Sequence, residues 1–273
     1  MTRPGERGAF GLVATARRTQ GRYDALSRYS PLQVGESEWS EELLARGALR
    51  LPERVEWSGE LGYAWYHFDA PGLHEERAGV GDALLRARTR VLDESMPHES
   101  FRPSLSLSAL LRAPLGSLSR EQSAGYGSGG VQLGLGTWEL GAGFDSSRNV
   151  SPALTLGLAG EAAYRFADDA LGRSRRLGPR IDASASAVLT LTDWLSAASS
   201  LRLRLVGDVT LSGQKLPGTG ERLWTLAGSA LFAPPSARLR SALTLAVDPP
   251  WSRLSMGGAA AVALSFGLTR PID

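Results

Sequence analysis

The chain has 273 residues, 42% of them hydrophobic, and a formal net charge of +2. Its length allows two ordinary domains, but barrels of this size fold as one unit, and 1–273 is read as a single domain. Cysteine is absent, which excludes disulfide frameworks, thiolate metal sites and cysteine nucleophiles, and the longest nearly uncharged apolar stretch, Gly257 to Leu268, is far shorter than the roughly 20 residues of a membrane-spanning helix.

Met1-Thr2-Arg3-Pro4-Gly5 leads almost directly into the first predicted strand with no apolar h-region, so the sequence reads as a mature chain carrying an added initiator methionine. Alternation and turn punctuation predict strands over 8–18, 39–51, 55–67, 79–92, 101–113, 129–141, 152–166, 181–192, 197–211, 222–232, 237–247 and 257–268. An even number is what a single-chain up-and-down antiparallel transmembrane β-barrel requires. Connections after the odd-numbered strands are mostly long and polar. Several of the others are tight, such as Pro52-Glu53-Arg54, 192–196 and 233–236, which puts both termini in the periplasm.

The second and third strands predict a register. If Leu51 and Val55 close their turn, Arg50 faces Glu56 and Arg46 faces Glu60 on the inward side, where Glu42 also lies. The outward side then pairs Leu49 with Trp57 and Leu43 with Tyr63. Each cross-strand pair contributes about 0.2–1 kcal/mol, and a one-residue slip would spoil both faces.

The fourth strand carries the sharpest argument. Asp82, Arg86, Arg88 and Arg90 share one face, and odd positions 83 to 91 are uncharged and mostly apolar. An arginine facing lipid near the bilayer midplane costs roughly 2–4 kcal/mol, so three would rival a whole domain's stability of about 5–15 kcal/mol. The arginines therefore face a polar interior.

The later strands follow the same parity. Arg102 and Arg112 turn inward with Ser104, Ser106 and Ser108 on the fifth, Glu161 and Arg165 on the seventh, and Asp182 with Ser184 and Ser186 on the eighth. Arg202, Arg204 and Asp208 on the ninth and Arg238 and Arg240 on the eleventh do likewise, while Ala259, Ala261 and Ala263 make the last wall thin. Parity slips between Leu135 and Trp138, which predicts a bulge or a shifted boundary in the sixth strand. The interior carries twelve arginines against seven carboxylates, which predicts a positive, anion-favouring lumen. Aromatics cluster at strand ends as two girdles: Trp39, Trp65, Tyr164, Phe166 and Trp224 at the outer rim, Trp57, Phe232 and Phe266 at the inner.

Motifs suggestive of other chemistry lack their context. Gly125-Tyr-Gly-Ser-Gly-Gly130 matches a dinucleotide fingerprint by letter, but an alternating segment follows it where a helix N-terminus is needed. His67, His74 and His98 have no metal-ligand spacing. His67 shares outward parity with Tyr63 and Trp65, as the histidine of a lipid-facing Ser–His pair would, yet the adjacent strands offer no outward serine. No catalytic residue, cofactor or metal is expected. The arginines are spread at period two with no basic run, and no nucleic-acid partner is expected either.

The segment Gly79-Val-Gly-Asp82, the arginine strand that follows it, and Pro103 to Gly116 with its Pro114-Leu-Gly116 loop entry resemble the outer-membrane β-barrel transporter family of the MetA pathway of phenol degradation. The resemblance covers about forty residues. It implies a barrel that passes small, often aromatic or hydrophobic molecules. The sequence departs from a usual barrel ending, because Leu-Thr-Arg-Pro-Ile-Asp follows Phe266. The expected function is a small-solute channel of the bacterial outer membrane in contact with its lipid. The alternative is a non-conducting barrel that anchors envelope protein partners. A soluble β-barrel binder, the third reading, would leave Leu154, Leu156 and Leu158 in water.

Overall fold

The computed structural model describes residues 7–51, 55–94, 102–116, 136–170, 173–234, 238–249 and 255–272. The glycine motif at 125–130, His98 and the start of the sixth predicted strand at 129–135 lie outside them.

Twelve long strands form one antiparallel sheet closed on itself: β1 Gly8–Tyr23, β2 Ser37–Arg50, β3 Val55–Ala70, β4 Ala83–Leu92, β5 Ser104–Ala113, β6 Glu139–Asn149, β7 Leu154–Arg165, β8 Arg180–Thr190, β9 Leu195–Val206, β10 Glu221–Phe232, β11 Arg240–Val247 and β12 Ala259–Ile272. Each strand pairs with the next, and β12 returns to β1 in a ladder running from Gly8↔Ile272 to Arg22↔Ala259. Closure removes the open edges that unpaired backbone could not survive in lipid. The β2–β3 ladder has the deduced register, Arg50↔Glu56 through Arg46↔Glu60 to Leu43↔Tyr63.

Several boundaries differ from the sequence reading by a few residues, the first strand running to Tyr23 and the ninth ending at Val206 among them, and three differences shape the barrel most. The sixth strand occupies Glu139–Asn149, where 129–141 was predicted, because the alternation that builds the wall begins at Glu139 and continues through Gly141, Gly143 and Asp145. The last strand runs to Ile272, four residues past its predicted end, so the residues after Phe266 complete the closing ladder. Residues Leu73–Val80 extend the β3–β4 hairpin beyond the barrel and turn at Pro71-Gly72, where Gly72 has φ +78°, a value glycine adopts without penalty. The register shifts by one between Tyr63↔Val80 and Glu60↔Leu84, a bulge centred on Gly81-Asp82.

Burial is inverted relative to a water-soluble protein. Leu158 is 61% exposed while Glu139 is fully buried. Phe10, Leu85, Leu140, Leu245 and Leu264 are likewise exposed, all on outward-facing positions, whereas Glu38, Arg165, Arg180 and Asp182 are buried inside. Apolar side chains form the outer band and charged ones the interior, the arrangement only a lipid surround stabilises.

Two features extend beyond the barrel strands at the end opposite the chain termini. Tyr29–Pro31 pairs back onto Gly21–Tyr23, and the tip between them leans toward β10 and β12 through Gly257 N to Asp24 O (3.1 Å) and Arg222 Nη2 to Ser27 Oγ (3.4 Å). Asp168–Ala170, Arg173–Arg176, Thr210–Leu211 and Gln214–Lys215 form a small separate sheet from two outer loops.

Outside the membrane, at the tip of the β3 hairpin, the Asp69 carboxylate accepts a hydrogen bond from His74, raising the histidine pKa above its ordinary 6.5 and lowering that of the aspartate. A raised histidine value means that this tie is complete at pH values below the ordinary histidine pKa and is lost as pH climbs through the raised one. Amide exchange at Leu73–Glu76, corrected for intrinsic rates, is expected to accelerate in that interval, and Asp69→Asn to weaken the pH dependence, Glu76 remaining as the second acidic partner of His74.

Candidate functional site: the barrel interior

The interior is organised around Glu139, the residue that opens β6. Its neighbours in register are Arg112 on β5 and Arg165 on β7. Its carboxylate accepts from Arg165 Nε at 2.9 Å and from Arg180 Nη2 at 2.8 Å, with Arg112 Nε 3.6 Å away. Arg180, at the start of β8, also donates to Glu161 at 2.5 Å and to Asp182. Asp182 in turn accepts from Arg202 Nη2 at 2.7 Å and Arg204 Nε at 3.3 Å on β9.

The arginine strand β4 joins this lattice from a distance. Arg86 Nη2 donates to Glu161 on β7 at 2.5 Å, passing over β5 and β6. The row between them is low: Ser108 and Gly143 stand in register between Arg88 and Glu161. Arg88 donates to Asp145 on β6. Period-two glycines at 141 and 143 thus leave a shallow trough that a long guanidinium chain can cross.

On β8 and β9 the acid sits against the wall and two bases stand in front of it. Glu139 is 0% and Asp182 10% exposed, whereas the Arg202 and Arg204 side chains are 45% and 40% exposed. Below the lattice a cavity of about 580 Å³ is lined by Arg46, Arg86, Arg88 and Arg202, by Glu56, Glu60, Asp145, Glu161 and Asp182, and by Ser58, Ser108, Ser184 and Ser200, with Ala9, Gly11 and Ala48 on the β1–β2 side. The remaining wall, β10 to β12, presents small residues: Ala227, Ser229, Thr244, Ala246, Ala261 and Ser265.

The other predicted interior residues lie along β2 and β3 or toward strand ends. Arg90 pairs with Asp93 at 3.5 Å and is half exposed near the periplasmic rim. Arg50 and Glu56 stand opposite each other beside the turn, and Arg46 lies 3.9 Å from Glu60, with Glu42 two inward positions further along β2. Arg240 begins β11 opposite Thr269, and Arg238 precedes it as an exposed residue outside any strand. Arg102 likewise precedes β5, and its carbonyl accepts from Arg148. Asp82 sits at the outer bulge and accepts from Gly116 N at 3.3 Å.

Asp208 is a correction: it does not lie on the barrel wall. β9 ends at Val206, Gly207 N bonds to Pro179 O, and the chain leaves the wall. Asp208 then accepts from Gly220 N at 2.9 Å and pairs with Lys215 at 3.3 Å above the membrane, contacts that hold its carboxyl below the usual range.

Several interior charges escaped the sequence reading. Glu139 and Asp145 were hidden by the misplaced sixth strand, and Arg180 by starting the eighth strand at 181, although it shares parity with Asp182. Glu38, nearly fully buried, pairs with Arg22 at 2.8 Å, and Asp248 lies 3.5 Å from Arg17. The Glu38-Ser40-Glu42 alternation was the available signal for the first of these. Glu139, Asp145 and Arg180 lower the expected excess of positive charge without removing it.

On the outer wall Trp39 stacks on His67 with centroids 3.8 Å apart, and Tyr63 packs on Trp65 at 4.7 Å. Tyr164 meets Phe166 edge-on at 5.3 Å near the exposed Trp138. At the other end Trp57 and Phe266 are exposed and Phe232 stacks with Trp194, at 6.5 Å. Trp224 lies outward on β10, where its backbone N–H donates to Ser255 Oγ. His67 bonds Glu76 at 3.2 Å, and no serine hydroxyl bonds to it among the described residues. No group of three metal-ligating side chains occurs among the described residues.

No family model matches the chain, and no curated protein matches it by sequence. Solved structures do. The COG4313 outer membrane channel from Pseudomonas putida F1 superposes with a TM-score of 0.78 over 100% of both chains at 16% identity. The chain shares the fold of that barrel. The NanC porin, with a TM-score of 0.53, 8% identity and 96% and 98% coverage, shares the architecture more loosely. So does the KdgM porin, at 0.52, 8%, 96% and 99%. With its apolar outer band and exposed aromatic side chains toward both ends of the strands, the chain has the form of a transmembrane β-barrel, the architecture it shares with these proteins.

Proposed function

We propose that this barrel is a channel for small solutes whose interior favours anions. The observation that carries the reading is the layering of charge at Asp182: its carboxylate is 10% exposed against the wall, and the Arg202 and Arg204 guanidinium groups, on side chains 45% and 40% exposed, stand between it and the lumen. In a low-dielectric enclosure the nearer charges dominate the potential on a passing ion, so the lumen is positive although most of its charges are paired. The cavity of about 580 Å³ gives a small solute room within the barrel. Resemblance to the MetA-pathway transporters adds aromatic molecules to the candidate solutes. Lipid meets the apolar outer band and its girdles.

In planar bilayers under a tenfold KCl gradient, the reversal potential is expected to show preference for chloride. Cation preference would contradict the reading. A complete absence of conductance, with envelope proteins co-purifying, would favour the non-conducting anchor instead.

A further inference from the structure

Within the lattice one carboxylate serves three bases: Arg180, Arg202 and Arg204 all donate to Asp182. Arg180 is also shared with Glu139 and Glu161, whereas Arg202 and Arg204 form no second salt bridge among the described residues, Arg204 also lying in the field of Glu221 and Asp248. Both bond Asp182 while leaving nearly half of their side-chain surface open to the lumen. A guanidinium has five N–H donors, and these contacts to Asp182 use Nε and Nη2 of Arg202 and Nε of Arg204. The register sets Ser184 directly opposite Arg202 and Ser200 opposite Ser186, so two inward hydroxyls lie beside Arg202, with Arg204 next to it opposite Asp182. Ser184, Ser200 and Arg202 line the same cavity as the small, apolar Ala9, Gly11 and Ala48 of β1 and β2.

We propose that Arg202 and Arg204, with Ser184 and Ser200, form a carboxylate-binding station for a small organic acid whose apolar body lies against Ala9, Gly11 and Ala48. The inference rests on the anion-favouring reading and adds a defined site and ligand class to it. Two planar guanidinium groups offer fork geometry to a carboxylate, which a single point charge does not. The cavity falls in the size range of small-molecule sites, roughly 300–1,000 Å³. Its lining also holds the carboxylates of Glu56, Glu60, Asp145, Glu161 and Asp182, so an anion is placed at the Arg202 end, and the small Ala9, Gly11 and Ala48 leave space for an organic body that an inorganic ion would not fill.

The test is ligand-observed NMR titration of the full chain in lipid nanodiscs with benzoate, benzyl alcohol and inorganic phosphate. Saturable benzoate binding is expected, weakened about tenfold in an Arg202→Gln/Arg204→Gln double variant, consistent with loss of charged hydrogen bonds. Arg202→Lys, which keeps the charge but not the fork, should fall between the two. Heat-modifiable migration on gels establishes that each variant is folded, and Ser184→Ala supplies a milder second probe. Benzyl alcohol binding as tightly as benzoate, phosphate competing equally with it, or benzoate binding unchanged in the double variant would each overturn the station. Reversal potentials on the same preparation separate the cases: retained chloride preference with failed benzoate binding rejects the station alone, and lost preference rejects the underlying reading.

Discussion

Replacing Glu139 with alanine is expected to destabilise the barrel by about 3–5 kcal/mol, the penalty for removing one partner of a buried ionic network. Glu139 is fully buried and bonds Arg165 and Arg180, themselves nearly buried, with Arg112 close by. Its loss leaves those guanidinium groups facing one another without the charge that holds them together. Glu139→Gln keeps the shape and one acceptor oxygen, so it should lose less. Urea unfolding in lipid vesicles, followed by tryptophan fluorescence, measures both; equal midpoints for wild type and alanine variant would show that the network is dispensable.

The second large effect contrasts adjacent positions. Leu158→Arg places a guanidinium on the outward face midway along β7, where it should lose roughly 2–4 kcal/mol to lipid exposure. Ala159→Arg, one residue on, points into the cavity beside Glu161 and should fold nearly normally. Its signature is a reduced conductance, because the added side chain fills the lumen. The same unfolding assay and single-channel recordings decide the matter, and a reversed order of stabilities would place the two faces the wrong way round.

Parity made the wall legible. Arg86-Ala-Arg88 and Leu156-Gly-Leu158 alternate cleanly because each residue meets either lipid or the interior, and side chains repeat every two positions in a strand. The short turn after Arg50 gave the β2–β3 register, since only one pairing satisfies charge on one face and apolar contact on the other. What parity could not supply was phase across an irregular segment. Near Trp138 the apolar run before Glu139 continues the alternation in the wrong phase, so the sixth strand was set too early and Glu139 and Asp145 were lost with it. Strand ends posed the second difficulty. Asp208 keeps the parity of Arg202 and Arg204 two residues after β9 has ended, and nothing in the alternation marks that ending. Contacts between distant strands posed the third. That Arg86 reaches Glu161 across two strands depends on the curvature of a closed sheet and on the low row at Ser108 and Gly143, which pairwise register does not show.

The central claim, a closed cylinder with apolar side chains outside and charge within, is tested most directly by single-cysteine accessibility along β7. The chain has no native cysteine, so each substitution from 154 to 165 reports alone. In vesicles, a charged maleimide is expected to label 155, 157, 159 and 161 while a membrane-partitioned one labels 154, 156, 158 and 160. Uniform labelling by the charged reagent, or the opposite alternation, would contradict the account.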